Sequence, residues 1–465
     1  MASTYLSYSE AATPTNQTKF TWSGWIKRGN ISTDQTIYYN YVDASNYAYM
    51  YFRTGDDIRY FDRVSGGDTC VVVLDQLFRD TSGWYHLVLK VDTTQVTGTD
   101  RVKFYVNGVE AETTFSNTPP QDQALSLPAA GTRTIGASNG GSNYFDGSMS
   151  YVNFVDSTAF APTEFGEVDS TTGEWKITTD NASSYGNGGF FVLKNGSSLT
   201  DESGNGNDFS LSGGTLTNTE DCPDDVFCTM NQLDNYGASS TFSNGGNTVA
   251  IGTNDRANTS TLGMSKGKFY FEVKYTPGSQ IYSMIGISNY AVGSVNATTS
   301  GYLTHTAVGN WGYSIQGGGA STSNYARKSE NNVAANTSPY PAAGYADNQL
   351  VADDIVQVAI DLDNNAIWWG KNGLGYWGTD GYNGDPAANT NGFAIADPST
   401  IVGGTYYVAC GRSDSGGVTW TFNFGNGYFG TTIISSEGTN ASGIGKFEYD
   451  VPTGFTAISL KGLNS

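Results

Sequence analysis

The sequence predicts an all-β protein built as two antiparallel jelly-roll β-sandwiches in tandem. Three observations carry that expectation. Charged residues make up only 14% of the chain, and 59 Gly, 30 Tyr and 23 Phe stand where helical proteins carry Lys, Glu, Leu and Ala runs. Short runs alternate apolar and polar residues with a period of two, separated by Gly, Asn and Asp, and no helical period lasts beyond two turns. A strand that stops at an Asn-Gly pair occurs twice, ending at Gly108 and again at Gly373. A length of 465 residues fits two or three domains at about 150 residues each, and sandwiches run large, so two are expected.

The first sandwich is assigned to residues 1–165. FTWSGWIKR (20–28) alternates, and YAYMYF (47–52) is an aromatic strand. WYHLVLKVD (84–92) places Leu87, Leu89 and Val91 on one face. RVKFYVNG (101–108) alternates Val102, Phe104 and Val106 with polar partners and ends at Asn107-Gly108, a hairpin-turn pair. TIGAS (134–138) and FDGSMSYVNFVD (145–156) complete the set. Residues 166–232 are rich in Gly, Asn and Ser and read as a connection, to which FFVLKNG (190–196) adds a strand.

The second sandwich is assigned to 233–430, with 431–465 as a tail packed on it. KGKFYFEVKY (266–275) puts Phe269, Phe271 and Val273 on one face. SMIGIS, NWGYSI, DIVQVAIDLDNNAIWWGKNG (354–373), GTYYVACG and VTWTFNFG follow. Long polar loops at 289–308, 316–349 and 375–400 separate them, and loops of that length commonly face partners or ligands. VLKVD followed by FYVNG matches VAIDLDNNAIWWGKNG: two adjacent strands, an Asp- or Asn-rich corner, and a closing Asn-Gly turn.

Charge and cysteine content exclude several functions. The net charge is -21 and the pI about 4.3, a surface that repels phosphate backbones, so no direct nucleic-acid binding is expected. Four cysteines in so long a chain do not form a disulfide framework; Cys222 and Cys228 are either a short loop disulfide or two thiols. MASTYLSYSE lacks the basic-then-apolar pattern of a secretion signal, and no run of 18 apolar residues exists. A soluble product made in a cytoplasm, without membrane insertion, is the expectation.

Catalytic chemistry finds little support. Retaining glycoside hydrolysis needs two carboxyls about 5 Å apart. The nearest approach is Glu167, Asp169 and Glu174, but Glu174 falls on the opposite face of a regular strand from Glu167, and Gly173 intervenes. His86 and His305 are the only histidines, which leaves almost no room for a His-based triad, and His86 beside Trp84 and Tyr85 reads as structural. No catalytic residue and no enzyme are expected. Calcium is the one metal considered: Asp201, Ser203, Asn205 and Asp208 alternate oxygen ligands around Gly206, without a distal bidentate Glu. A simple Asn-Gly turn explains the same residues, and an Asx turn explains Asp361, Asp363 and Asn364. No other cofactor is implied.

Aromatic residues in polar loops are the remaining signal. A sugar ring stacks on a flat apolar face while Asn, Asp or Gln bonds its hydroxyls. Tyr325, Tyr340, Tyr345, Tyr376, Trp377 and Tyr382 lie among such residues and are the expected ligand-binding set. Trp22, Trp25, Trp84 and Trp368 fall in strands as core, with Trp369 on the opposite face of its strand from Trp368.

These segments carry resemblances. FTWSGWIK, GWYHLVLKVD, VKFYVNG, TIGAS and YFDGSMSYVNFVDS resemble laminin-G-like (concanavalin A-like) domains. GKFYFEV, IGIS, WGYSI, DIVQVAIDLDNNAIWWGKNG and FNFG resemble a SPRY domain. The opening MASTYLSYSEAATPTNQTKFTWSGWIKR, the stretch LTDESGNGNDFSLSG and the ending FEYDVPTGFTAISLKGLN are similar to structural proteins of tailed phages, marine ones especially. The resemblance implies a virion surface protein: a decoration, head-fibre or tail appendage with lectin-like domains for host-surface glycan or protein. Its implied partners are other capsid or tail proteins and the host cell surface. Homo-oligomerisation and assembly in the host cytoplasm are implied with it. A virion component that stabilises capsid or tail without a ligand is the alternative. No coiled coil or shaft-like repeat precedes the first sandwich, so a long tail fibre is not expected of this chain alone.

Overall fold

The computed structural model describes the whole chain except residues 1–2, 10–12, 195, 197, 237–239, 253–255, 279–282, 290–311, 318–326, 331–349, 379–380 and 413–415. The described residues are almost entirely strand and turn, and the only α-helix among them is Leu460–Leu463. The chain divides into two compact units: Met1–Asn218 with Cys222–Asp224, and Thr219–Asp221 with Asp225–Ser465.

The first unit contains two large antiparallel sheets. One has eight strands, in the order Thr113–Asn117, Gly67–Leu74, Ile58–Val64, Asn46–Phe52, Gln35–Asp43, Thr132–Ile135, Tyr5–Ser9 and Ser210–Gly213. The other has six, in the order Phe190–Val192, Gly147–Asp156, Lys19–Arg28, Tyr85–Asp92, Val102–Val106 and Val109–Glu110. Alternation explains the core. Ala48, Met50 and Phe52 turn inward from one strand, Tyr60 from its neighbour and Val72 from the strand beyond, and they meet Trp22, Leu89, Phe104 and Phe154 of the six-stranded sheet.

Residues 166–218, expected as part of a connection with one added strand, belong to this unit. Phe190–Val192 extends the six-stranded sheet beside Gly147–Asp156, and Ser210–Gly213 pairs with Tyr5–Ser9. Gly166–Val168 and Trp175–Ile177 form a separate hairpin. Segments of three or four residues are too short to show a period, so tertiary pairing alone makes them strands.

The second unit also holds two large sheets. Six strands run in the order Met230–Tyr236, Arg256–Met264, Tyr406–Arg412, Ser283–Ser288, Gly312–Gly317 and Arg327–Glu330. The other sheet centres on Val418–Asn423, Lys268–Pro277, Ile355–Asp361 and Ala366–Lys371. Phe269, Phe271, Val273, Val358, Trp369, Trp420 and Phe422 fill the interior. The opposite face of Lys268–Pro277 and Ala366–Lys371 is buried as well: Tyr270 and Trp368 pack with Phe447, Val451 and Phe455 from the C-terminal segment. Thr456–Ala457 adds to Lys268–Pro277 as a parallel strand.

The repeated Asn-Gly motif forms the same structure in both units. Asn107 and Gly108 have φ of 49° and 79°, and Asn372 and Gly373 have φ of 50° and 71°. Positive φ at both central residues is the signature of a type I′ hairpin turn. The Asn107 backbone N–H donates to the His86 carbonyl (2.9 Å), and the His86 N–H donates to Asn107 Oδ1 (2.8 Å). Asn372 and Ile355 make the same reciprocal pair at 2.9 and 2.8 Å.

Candidate functional site

The outward face of the eight-stranded sheet carries a cluster of aromatic rings. Strand pleating places them: residues that alternate with the core positions Ala48, Met50 and Phe52 must point the other way, and these are Tyr47, Tyr49 and Tyr51. Register then lines up neighbours from adjacent strands. Tyr49 lies opposite Tyr39 on one side and Phe61 on the other; Tyr47 lies between Tyr41 and Arg63; Tyr51 is opposite Arg59. Ring centroids are 5.6 Å apart for Tyr39–Tyr49, 5.1 Å for Tyr49–Phe61, 6.2 Å for Tyr47–Tyr49 and 6.5 Å for Tyr39–Tyr41. The planes of Tyr47 and Tyr49 differ by 9°.

Exposure grades across this face. Phe61 and Tyr39 form its floor, at 5% and 9% exposed. Tyr41, Tyr47, Tyr49 and Tyr51 are half-buried around them. Among the described residues no hydrogen bond engages the hydroxyls of these five tyrosines. Burial, with neighbouring hydroxyls second, pushes Tyr39 well above the usual phenol range, and mainly burial raises Tyr49 to about 12. Both stay neutral at ordinary pH, able to donate and to accept.

Two arginines border the rings. Arg63 lies over Tyr47, with Cζ 5.5 Å from the ring centroid, and its Nε and Nη2 donate to Asp68 Oδ1 at 2.9 and 2.7 Å. Arg59 lies over Phe61 at 5.5 Å. No carboxylate among the described residues pairs with Arg59, and its buried Nε has no acceptor.

Of the sequence-predicted site residues, Tyr376, Trp377 and Tyr382 fall in the second unit. Tyr325, Tyr340 and Tyr345 lie outside the described residues. Trp377 is 0% exposed and sits in the second unit's core, so it presents no ring face to a ligand. Tyr382 packs against that core, with centroids 6.4 Å from Trp377. Tyr376 packs with the back-face cluster of Trp368 and Phe455, and burial lifts its hydroxyl far above the usual range. These three are packing residues: their loop folds back as the short strands Tyr376–Gly378 and Gly381–Gly384 on the sheet edge, which buries Trp377 and half-buries Tyr376 and Tyr382. The tyrosine face was legible only as an aromatic strand at 47–52; the alternating Tyr39-x-Tyr41 and Tyr47-x-Tyr49-x-Tyr51 spacing is the signal that locates it.

The 201–208 loop engages side-chain oxygens in protein hydrogen bonds. Asp201 Oδ1 accepts the Phe191 and Ser203 N–H groups at 2.8 and 2.9 Å, and Oδ2 accepts Ser203 Oγ–H and the Asn207 N–H at 2.8 and 2.9 Å. Asp208 Oδ1 accepts the Asp201 N–H, and Asn205 Nδ2 donates to the Gly186 and Gly189 carbonyls. The side chains of Asp201, Asn205 and Asp208 thus hold turns in place. Among the described residues no group of three or more His, Cys, Asp or Glu is placed to hold a metal ion. Cys222 and Cys228 are thiols.

Lys176 binds Glu167 Oε1 at 3.2 Å and Asp169 Oδ2 at 3.5 Å on the exposed hairpin. The Thr172 and Thr171 N–H groups hold the Asp169 carboxyl below its usual range, so it supplies no proton there. His86 accepts the Trp175 Nε1–H at Nδ1 (3.0 Å), which leaves Nε2–H to donate to Ser23 Oγ (2.9 Å). That tautomer is opposite to the one a general base needs beside a serine. Burial lowers its pKa to about 3, and its ring stacks between Trp25 and Trp175.

Comparison with known proteins gives one family match and several distant structural likenesses. No curated protein matches the chain. Domains LG4-5 of mouse laminin α1 align over 97% of this chain and 93% of that one, at 9% identity and a TM-score of 0.29. The SPRY domain of human HERC1 covers 42% of this chain and 96% of its own, at 11% identity and a TM-score of 0.27. A heptameric SAP-like pentraxin from Limulus polyphemus covers 34% of this chain and 71% of its own, at 18% identity and a TM-score of 0.26. Residues 2–164 match the family described as the concanavalin A-like lectin/glucanases superfamily, and the described residues of the whole chain are nearly all-β and largely antiparallel.

Proposed function

We propose that this chain is a glycan-binding module, without hydrolytic activity, that holds saccharide against the tyrosine face of its first unit. The observation that carries the reading is the register of Tyr39, Tyr49 and Phe61 with Tyr41, Tyr47 and Tyr51 around them on one open sheet face. Sugar rings present C–H faces that stack on aromatic rings, and hydroxyls that pair with neutral phenols. Each needs side chains already held in place, because ordering them on binding costs about 0.5–1.5 kcal/mol apiece. Mutual packing of the rings supplies that order in advance. The family match supports the reading, since lectins and glucanases share the fold. The binding assignment over the enzymatic one is supported by the carboxylates: Glu167 and Asp169 are salt-bridged to one lysine on an exposed hairpin.

We place the module on a virion surface, as an adhesin that meets host glycan and assembles as a homo-oligomer with capsid or tail proteins. What supports that setting is the resemblance of its opening, of 199–213 and of its ending to tailed-phage structural proteins. The test is a glycan array probed with the full chain and with Tyr49→Ala. Binding that falls about tenfold in the variant supports the reading, on a stacking contribution of roughly 1–2 kcal/mol per ring. No binding to any glycan would leave only a structural role, and reducing-sugar release from a bound polysaccharide would overturn the non-enzymatic assignment.

A further inference from the structure

We infer that the tyrosine face selects acidic saccharides, with Arg59 as the residue that reads the sugar's carboxylate. This rests on the glycan-binding reading and narrows its ligand class.

The argument starts from charge. The chain has 44 acidic residues against 23 basic ones, so a basic side chain in this molecule is surrounded by candidate partners. Arginines near this face find them. Arg63 is held by Asp68, and Arg53 makes a fork to Asp57 through Nε (2.5 Å) and Nη2 (2.6 Å). Arg59 does not: among the described residues no carboxylate pairs with it. Its Nε is buried without an acceptor, a cost that only the Phe61 ring under the guanidinium offsets in part.

Position gives that charge its meaning. Arg59 lies directly opposite Tyr51 on one neighbouring strand and Val73 on the other. Its guanidinium rests over Phe61, whose ring packs on Tyr49. The surroundings are therefore apolar rings and uncharged hydroxyls, where water screens a charge less than on an open surface. The Arg63–Asp68 pair cancels itself, so the face carries one uncompensated positive charge at its Tyr51 edge. A sugar ring stacked on Tyr51, beside Tyr49, brings a substituent on its rim towards Arg59. A carboxylate there gains a charge-assisted contact, about twice as strong as a neutral hydrogen bond, and a hydroxymethyl group does not. A hexuronate or sialic acid residue has the required chemistry: one apolar ring face and one rim carboxylate.

The chain's overall charge of -21 opposes the approach of polyanions from a distance. At about 0.15 M salt the screening length is roughly 8 Å, so distant repulsion fades while the contact at Arg59 persists.

The experiment uses the full chain at that ionic strength. Matched pairs are titrated by calorimetry: oligogalacturonate and oligoalginate against their methyl esters, and sialyllactose against lactose. Methyl esterification keeps the ring and removes the charge. The expected result is at least one acidic member bound about tenfold more tightly than its neutral partner, the size of one charge-assisted contact. Arg59→Gln erases that ratio, and Arg59→Lys retains part of it. Tyr49→Ala weakens both members alike. Circular dichroism of each variant confirms that the sheet is intact. Equal binding of both members, or an unchanged ratio in Arg59→Gln, overturns the selectivity and leaves the glycan-binding module standing. No binding of any member, on these pairs and on the array, overturns both.

Discussion

The two units solve one structural problem with nearly the same parts. In the first, Lys19 opens a strand opposite Asp92, which closes the next; in the second, Lys268 does the same opposite Asp361. The pairs are ionic, at 3.3 and 2.9 Å. Each Asp also folds the following corner, Asp92 by accepting the Thr94 N–H and Asp361 by accepting the N–H groups of Asp363 and Asn364. The third strand of each set ends in the I′ Asn-Gly turn. A later segment then lays an aromatic ring on the turn glycine: a Cβ on Gly108 would sit 2.5 Å from Trp175, and one on Gly373 would sit 2.7 Å from Tyr449.

A buried acid follows the same logic. Tyr60-Phe61-Asp62 and Tyr270-Phe271-Glu272 each place a tyrosine hydroxyl 2.9 Å from a carboxylate two residues on, on the inward side of Phe61 and the outward side of Phe271. Asp62 accepts the N–H groups of Ser126 and Leu127, and Glu272 those of Glu448 and Tyr449. Each carboxylate pins a distant stretch of chain onto a sheet. The difference lies in what that stretch covers. Glu272 draws the C-terminal segment across a sheet face and buries Trp368 there, whereas Asp62 holds its loop on the core side and leaves the tyrosine face open. The lesson is that near-identical strand hardware yields a sealed face in one unit and an accessible aromatic one in the other, according to where the pinned segment lies.

The sharpest way to break that parallel is to remove the pins. Asp62→Ala strands three buried donors and Glu272→Ala four, counting Asn423 Nδ2. At about 1–3 kcal/mol for each stranded donor, partly relieved by water, a loss on the order of 4 kcal/mol is expected in both, larger for Glu272→Ala. Urea unfolding measures it, and a loss under about 1 kcal/mol in either one ends the equivalence.

Trp377→Ala separates packing from recognition. Truncating a fully buried tryptophan should cost about 3–5 kcal/mol in the same urea assay. Glycan titration of the folded fraction should remain unchanged. A selective loss of glycan affinity would return the ligand site to the second unit.

Gly108→Ala and Gly373→Ala sharpen the comparison of the turns. Both residues have positive φ and both meet a ring, so each variant should lose roughly 1–2 kcal/mol or more, by thermal or urea unfolding. A neutral outcome at one site would mean that its covering ring moves aside freely.

The smallest effect is a pH dependence shared by the two acids. Burial pushes Asp62 from an ordinary 3.8, and Glu272 from 4.5, up to about 7, against the pull of their donors. A folded pKa raised above the unfolded one gives a contribution that is complete below the unfolded value and fades as pH rises through the folded one. Wild type minus Asp62→Asn, or minus Glu272→Gln, should therefore become less favourable between about pH 4 and 7, and level out above. A difference that grows with pH across that window would show that the donors hold both groups ionised and outweigh burial.

Sequence alone determined the architecture and much of the local detail. Alternation at 47–52, 84–92, 102–106 and 266–275 identifies strands and the residues that share a face, because successive side chains of a pleated strand point to opposite sides. Asn107-Gly108 and Asn372-Gly373 announced their turns, since few other pairs tolerate two positive φ angles in succession. Tertiary structure decided which aromatic residues are available. Tyr376, Trp377 and Tyr382 have the composition of a binding loop, yet the sheet edge takes up that loop and packs its rings against the cores. Tyr39, Tyr41, Tyr47, Tyr49 and Tyr51 have the composition of ordinary strands, yet register across two strands gathers them on one uncovered face, beside Phe61 of a third. A strand's own pattern fixes which residues share a side; only the strands and segments packed around it fix whether that side meets water, another sheet or a returning tail.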